Sequence, residues 1–209
     1  MKTSEDGRLG FLPHPYVQPH GARGDSDEEC FDVLGPDDRV LGQQPRSAVH
    51  AAGLWHRSVY VWVFDADLNV LLQRRAASKD VCPGLWDLSC AEHLQTGEQF
   101  VDGARRGLFE ELHIDATHLP LSRLRSVHSQ STIDPGLALF DRERVETWGV
   151  TWNGPCRADP GEVAGLRFVA WAKLCHEIQA APQTFTPWLR QEVAWFGDMV
   201  PWPASGACT

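Results

Sequence analysis

Residues 96–114 read TGEQFVDGARRGLFEELHI. Val101, Ala104, Leu108 and Leu112 recur at the three- and four-residue spacing that lines up apolar side chains on one helix face, so a helix is predicted over residues 99–113. Thr96 followed by Gln99 is a capping-box pattern at its entry. The stretch also carries an unusual set of charges. Arg106 and Glu110 stand four apart and can pair, Glu110 and Glu111 leave at different angles from one side, and Glu98 can lean back toward them from the helix entry. Three carboxylates directed at one point repel each other unless a divalent cation lies among them, and hard oxygen donors suit Mg²⁺ or Mn²⁺. A solvated acidic helix face has the same spacing, so the pattern needs support from its surroundings.

Those surroundings read as a sheet. Residues 31–34 and 39–42 flank the turn chemistry of Gly-Pro-Asp-Asp and form a predicted hairpin. Residues 58–64 (SVYVWVF) and 70–75 are β-branched and aromatic, and are expected as central strands. Further strands are predicted over residues 86–94, 122–130, 144–152 and 165–171, with closing helices over 172–181 and 187–200, the last entered by Pro187. The expected architecture is α/β (α+β), a mixed β-sheet sandwiched between helices. Residues 1–28, rich in Gly, Pro, His and Asp, are expected as a flexible leader, residues 29–200 as the domain, and 201–209 as a tail.

Composition narrows the function classes. A formal net charge of −9 without a Lys/Arg run gives no electrostatic case for nucleic-acid or anionic-membrane partners. A small anionic substrate then needs local cations or a metal. Six cysteines scattered without a CxxC pair suit reduced thiols, and no apolar run or signal-like segment is present, so a cytoplasmic location is expected.

The segment from Glu92 to Ile114 resembles the box of the Nudix superfamily: Gly, five residues, Glu, seven residues, Arg-Glu, an aliphatic residue, one residue, Glu-Glu, one residue, Gly, and an aliphatic residue. Glu98, Arg106, Leu108, Glu110, Glu111 and Ile114 match. Glu92 and His113 stand where the pattern has its glycines, and Gly107 where it has the glutamate after the arginine. Upstream, His50, His56-Arg57 and residues 71–89 (LLQRRAASKDVCPGLWDLS), and downstream Phe185-Thr-Pro-Trp188, are similar to the Nudix branch containing isopentenyl-diphosphate isomerases and related hydrolases.

The resemblance implies a Nudix fold and a metal-dependent pyrophosphohydrolase acting on a small diphosphate compound. Glu98, Glu110 and Glu111 are then the expected Mg²⁺ (or Mn²⁺) ligands, Glu110 and Glu111 the catalytic pair, and Arg75 and Lys79 the diphosphate-binding cations. Glu143, Glu146 and Glu162 are candidate bases for the attacking water. Isomerase chemistry is disfavoured: His93 falls on a family metal histidine, but the catalytic cysteine falls on Ala91 with Cys90 one place off, and the paired glutamates fall on Arg144 and Glu146. The early histidines, His50 and His56, are six apart where the isomerases use seven. Loss of the glutamate at Gly107 leaves a binding-only domain as the other alternative, and Gly107→Glu is expected to tighten Mg²⁺ binding. His93 and Cys90 also have plain readings as strand residues, and Trp86, Trp148, Trp152 and Trp171 as core or groove walls.

Overall fold

Strand β3 (Trp55–Phe64) organises the molecule. It runs parallel to β8 (Leu139–Thr151), from Trp55 opposite Arg142 to Phe64 opposite Thr151, and antiparallel to β6 (Cys90–His93) on its other side. Side chains from Val59 to Phe64 are buried on both faces, as expected for a strand covered by helices on either side. β1 (Cys30–Leu34) and β2 (Val40–Pro45) form the expected hairpin and meet the start of β3. β7 (Ser122–Asp134) pairs with β8, and β4 (Val70–Arg75) carries β5 (Trp86–Asp87) and β9 (Val163–Val169) at its edges. The computed structural model describes residues 29–79, 81–134 and 139–202. The leader expected over residues 1–28 and most of the expected tail lie outside them.

One face of the sheet packs Tyr60, Trp62, Phe64 and Val145 against α3 (Trp171–Ala180) and α4 (Pro187–Phe196) through Trp171, Leu174, Trp188, Leu189 and Val193. The other packs Val59, Val61, Val63 and Cys90 against Ala104, Leu108 and Leu112 of α2 (Phe100–Leu112). The mixed sheet between helices is therefore as the sequence implies. α2 starts one residue later than expected, with Gln99 as its N-cap and no side-chain cap bond. Thr96 does not close a capping box; its hydroxyl donates to the Cys30 carbonyl, 3.4 Å away, and ties the helix entry to β1.

The strand expected over residues 86–94 is broken in two. At the break, Ser89 Oγ donates to Leu71 O at 2.6 Å and accepts from Val63 N at 2.8 Å. A side chain thus takes the place of ladder partners while the chain crosses from β4 to β3. A seven-residue helix, α1 (Arg46–Ala52), was not expected. It buries only Val49, too short a pattern for a periodicity argument, and ends at Gly53, whose φ of 59° suits a residue without a Cβ.

Candidate metal centre

Successive side chains of a strand point to opposite faces, so His56, Ser58 and Tyr60 share one face of β3, Ala91 and His93 one face of β6, and Asp141 and Glu143 one face of β8. α1 adds His50 from the side. Single donor atoms of His50, His56, His93 and Asp141 all lie within 4.8 Å of one another. The imidazoles sit 5.0–5.4 Å apart between centroids, and Phe31 of β1 stacks on His56 and His93 at 5.3 and 4.7 Å.

Hydrogen bonds around the cluster fix which atoms face inward. A carbonyl only accepts, so His56 Nδ1 must carry a proton to bond Leu54 O at 3.1 Å, which leaves the lone pair of Nε2 aimed at Asp141 Oδ1, 3.5 Å away. Two acceptors facing each other in a buried space need a positive group between them. Neither His56 Nε2 nor Asp141 Oδ1 makes a hydrogen bond, and neither does His93 Nε2, 3.5 Å from Glu143 Oε1. At the far side of His93 the Arg46 guanidinium donates to Nδ1 at 3.1 Å.

Electrostatics agree. Burial lowers His56 to about 3, against the Leu54 hydrogen bond that raises it, and pushes His93 well down, with the Arg46 charge adding to the fall. Burial raises Asp141 and Glu143, each in part against the charges around it. Neutral imidazoles are the ligand form of histidine, and a cation would restore both carboxylates to their charged form. The residues present fit a divalent metal, and three imidazoles with a carboxylate suit a borderline ion such as Zn²⁺ or Mn²⁺ better than Mg²⁺.

Two expectations are corrected here. The paired carboxylates of this face are Asp141 and Glu143, not Arg144 and Glu146: the β8 residues of odd number face the histidines, whereas Glu146 faces Arg123 and Trp148, at 3.4 and 3.1 Å. The His50–His56 spacing does not separate the pair either, because His50 stands on α1 and reaches the centre from outside the strand. The acidic pair was legible as Asp141-Arg-Glu143, two carboxylates two apart on a strand. Tyr60 was also missed; it lies opposite Ala91 and donates its hydroxyl proton to Glu143 Oε2 at 2.8 Å.

The carboxylates of α2 lie on the other face. Arg106 gathers Glu98 before the helix at 2.9 Å, Glu110 of the helix at 3.0 Å and Glu92 of β6 at 3.3 Å. Glu111 turns into the buried side, where Gln73 Nε2 and Cys90 Sγ donate to it at 2.6 and 3.3 Å. Burial raises Glu92 to about 7 and Glu111 to about 8, and the charge of Glu92 adds to the rise of Glu111. Arg75 bonds buried Asp87 at 3.2 Å and lies over the Trp188 ring at 5.3 Å, and Lys79 pairs with Glu162 at 2.5 Å. Of the three candidate bases, Glu143 alone stands among the histidines. Cys90 is fully buried with its thiol pushed up by burial, a packing residue as its plain reading had it. The expected benefit of Gly107→Glu has no room: a Cβ at position 107 would lie 2.6 Å from Cys90 Sγ.

Comparisons with known proteins agree with this fold. The NUDIX domain profile matches residues 54–196. An isopentenyl-diphosphate Delta-isomerase of Frankia alni is 30% identical over 87% of this chain and 92% of its own length. One of Cereibacter sphaeroides is 36% identical over 74% and 85%. Among solved structures, a Deinococcus radiodurans protein superposes with a TM-score of 0.65 at 22% identity, covering 80% of this chain and 98% of that one, a likeness of fold. No helix among the described residues is long and apolar enough to cross a membrane. The chain belongs to the NUDIX domain family, in the branch close to the isopentenyl-diphosphate isomerases.

Proposed function

We propose that this protein is a divalent-metal enzyme that hydrolyses a small diphosphate-containing compound. The observation that carries the reading is the convergence of His50, His56, His93 and Asp141 donor atoms within 4.8 Å, where the lone pair of His56 Nε2 and Asp141 Oδ1 face each other without a hydrogen bond. A metal held there supplies a Lewis acid and lowers the pKa of bound water. Glu143 stands beside His93 and is the side chain placed to take the proton of an attacking water, with Tyr60 holding its other oxygen. Arg75 and Lys79 are cations on the β4 side whose present carboxylate partners would have to share them with a diphosphate.

A second reading, isomerisation of an isoprenoid diphosphate, is favoured by the Tyr60–Glu143 hydrogen bond, a proton-carrying pair opposite Ala91. It is the weaker of the two because Ala91, at the position where the isomerases carry their cysteine, has no proton to give. The relatives' names make isopentenyl diphosphate the first substrate to test beside nucleoside diphosphate derivatives. Purified protein loaded with Zn²⁺, Mn²⁺ or Mg²⁺ is assayed for release of phosphate, free or as the phosphomonoester products of the cleaved anhydride, and, by proton NMR, for double-bond migration. Phosphate release that falls at least about tenfold in His93→Ala is expected. Equal turnover by both proteins refutes the centre, and migration without phosphate release selects the second reading.

A further inference from the structure

β7 reverses the polarity that burial alone would select. Residues directly opposite each other on paired strands share a face, so Thr132 beside Asp141, Gln130 beside Glu143 and His128 beside Val145 look toward the histidine centre and α4. These inward residues are polar. The other face of β7 carries Val127 and Ile133, which stand 44% and 55% exposed. Gln130 is only 4% exposed, yet its Nε2 makes no hydrogen bond to any described residue. His128 Nδ1 carries the proton that bonds Ser126 O at 3.2 Å, so Nε2 presents a lone pair. It too makes no hydrogen bond among the described residues: Glu192 Oε1, 3.1 Å away, is itself an acceptor and is taken by Arg125 at 2.6 Å. A strand that needed only to pack here would bury Val127 and Ile133 and leave the amide to water.

We infer that Gln130 and His128 are specificity-determining residues: they form a wall that hydrogen-bonds hydroxyl groups of the moiety attached to the diphosphate, and so select a hydroxylated group over a hydrocarbon chain. The inference rests on the hydrolase reading for where the diphosphate lies. β8 borders β3 along its whole length, so β6 and β4 share the other side, with Arg75 at the end of β4 and Lys79 after it. β7 lies beyond β8. A diphosphate between those cations and the centre therefore leaves the remainder of the substrate to extend over Glu143 toward β7. A hydroxyl there accepts from the Gln130 amide and donates to the His128 lone pair. A hydrocarbon would cover both groups and satisfy neither, and it is on such buried polar groups that discrimination is strongest.

The test reads binding rather than turnover. The full chain loaded with Mn²⁺ is titrated in a calorimeter with methylene-bridged, hydrolysis-resistant forms of ADP-ribose and isopentenyl diphosphate, and with methylenediphosphonate as the bare anchor. Wild type is expected to bind the ADP-ribose form at least about tenfold more tightly than the isopentenyl form, and Gln130→Met, of similar length but without hydrogen bonds, to lose about tenfold for the ADP-ribose form alone. His128→Phe is expected to do the same. Methylenediphosphonate should bind wild type and both variants equally, a readout that general damage to the fold would move. Four results overturn the wall: a wild-type preference for the isopentenyl form, no gain of the ADP-ribose form over the bare anchor, an unchanged ADP-ribose affinity in Gln130→Met, or a loss there shared by every ligand. Failure of the hydrolase reading shows separately, as absent phosphate release from the cleavable esters while these binding ratios stand.

Discussion

Adding one methyl group at Gly107 sets two known effects against each other. Alanine is favoured over glycine inside a helix by about 1 kcal/mol, so on propensity alone Gly107→Ala should stabilise α2. Packing opposes this. The new Cβ would stand 2.6 Å from Cys90 Sγ, about an ångström inside ordinary contact, and 3.0 Å from Glu92 Cβ. Neither neighbour retreats easily: Cys90 is fully buried in the α2-side core and bonded to Glu111, and Glu92 is held by the His93 N–H and Arg106. Overpacking a tight site costs about 1–3 kcal/mol, and the upper end applies where both contacts are pinned. The net is a destabilisation of about 2 kcal/mol, which for a domain of this size lowers Tm by about 4–8 °C. Thermal unfolding by circular dichroism measures it. Repeating the substitution in a Cys90→Ala background should recover more than half of the loss, because the closest contact is gone. A Tm that is unchanged or raised in Gly107→Ala, or a loss that is identical with and without the Cys90 thiol, would refute the close approach of α2 to β6.

The carboxylates beside that contact predict a pH dependence. Glu92 and Glu111 are raised to about 7 and about 8 from an ordinary 4.5, so the metal-free fold holds this part of its stability below pH 4.5 and loses it as pH rises through 7 to 8. Melting temperatures of chelator-treated protein should fall between pH 5 and 8.5; a flat profile contradicts the burial of the pair. On the histidine face, His93 Nδ1 accepts from Arg46, so the neutral ring carries its proton on the inward Nε2. Zn²⁺ uptake should therefore release protons, seen as a calorimetric enthalpy that varies with buffer ionisation, and a buffer-independent enthalpy counts against Nε2 as the ligand atom. Tyr60→Phe keeps the buried ring and removes only the bond to Glu143, so it should cost about 1–2 kcal/mol in stability and shift the acidic limb of any pH–rate profile. Loss of stability without a shift would make Tyr60 purely structural. Asp87→Asn should cost about 3 kcal/mol in chemical denaturation, because it leaves Arg75 half-buried opposite a neutral side chain, and a loss under 1 kcal/mol would show that Arg75 is not held there.

Much of the fold was legible because the elements that matter are long and locally consistent. The period of Val101, Ala104, Leu108 and Leu112 places α2, and the run SVYVWVF places β3, each within a few residues of where it lies. The metal centre was legible only in pieces. His93 and the early histidines were visible as residues, but a spacing counted along the chain does not say which elements carry His50 and His56, and α1 is too short to leave a periodic trace. The acidic pair was misplaced by three residues because the β7–β8 hairpin sets its own length, and nothing in a strand's alternation says which pair of carboxylates meets the partner strand. Glu92 was read as a missing glycine. Its meaning depends on what touches it across the helix, which spacing cannot show.

β6 spans only four residues, yet it is the wall between two groups of charged side chains with different donor chemistry. Its alternation decides which chemistry each face receives, and that assignment has no tolerance for a shift. A deletion or insertion of a single residue between Trp86 and Leu94 would hand His93 to the α2 side and Glu92 to the histidine side, taking a donor from the centre and the Glu92 partner from Arg106 at once. Substitutions at the individual positions remove one ligand; a slip exchanges two sets. This short stretch should accordingly tolerate changes of residue type far better than changes of length, and the Ser89 bonds that pin its entry are guarding a sorting step as much as a strand.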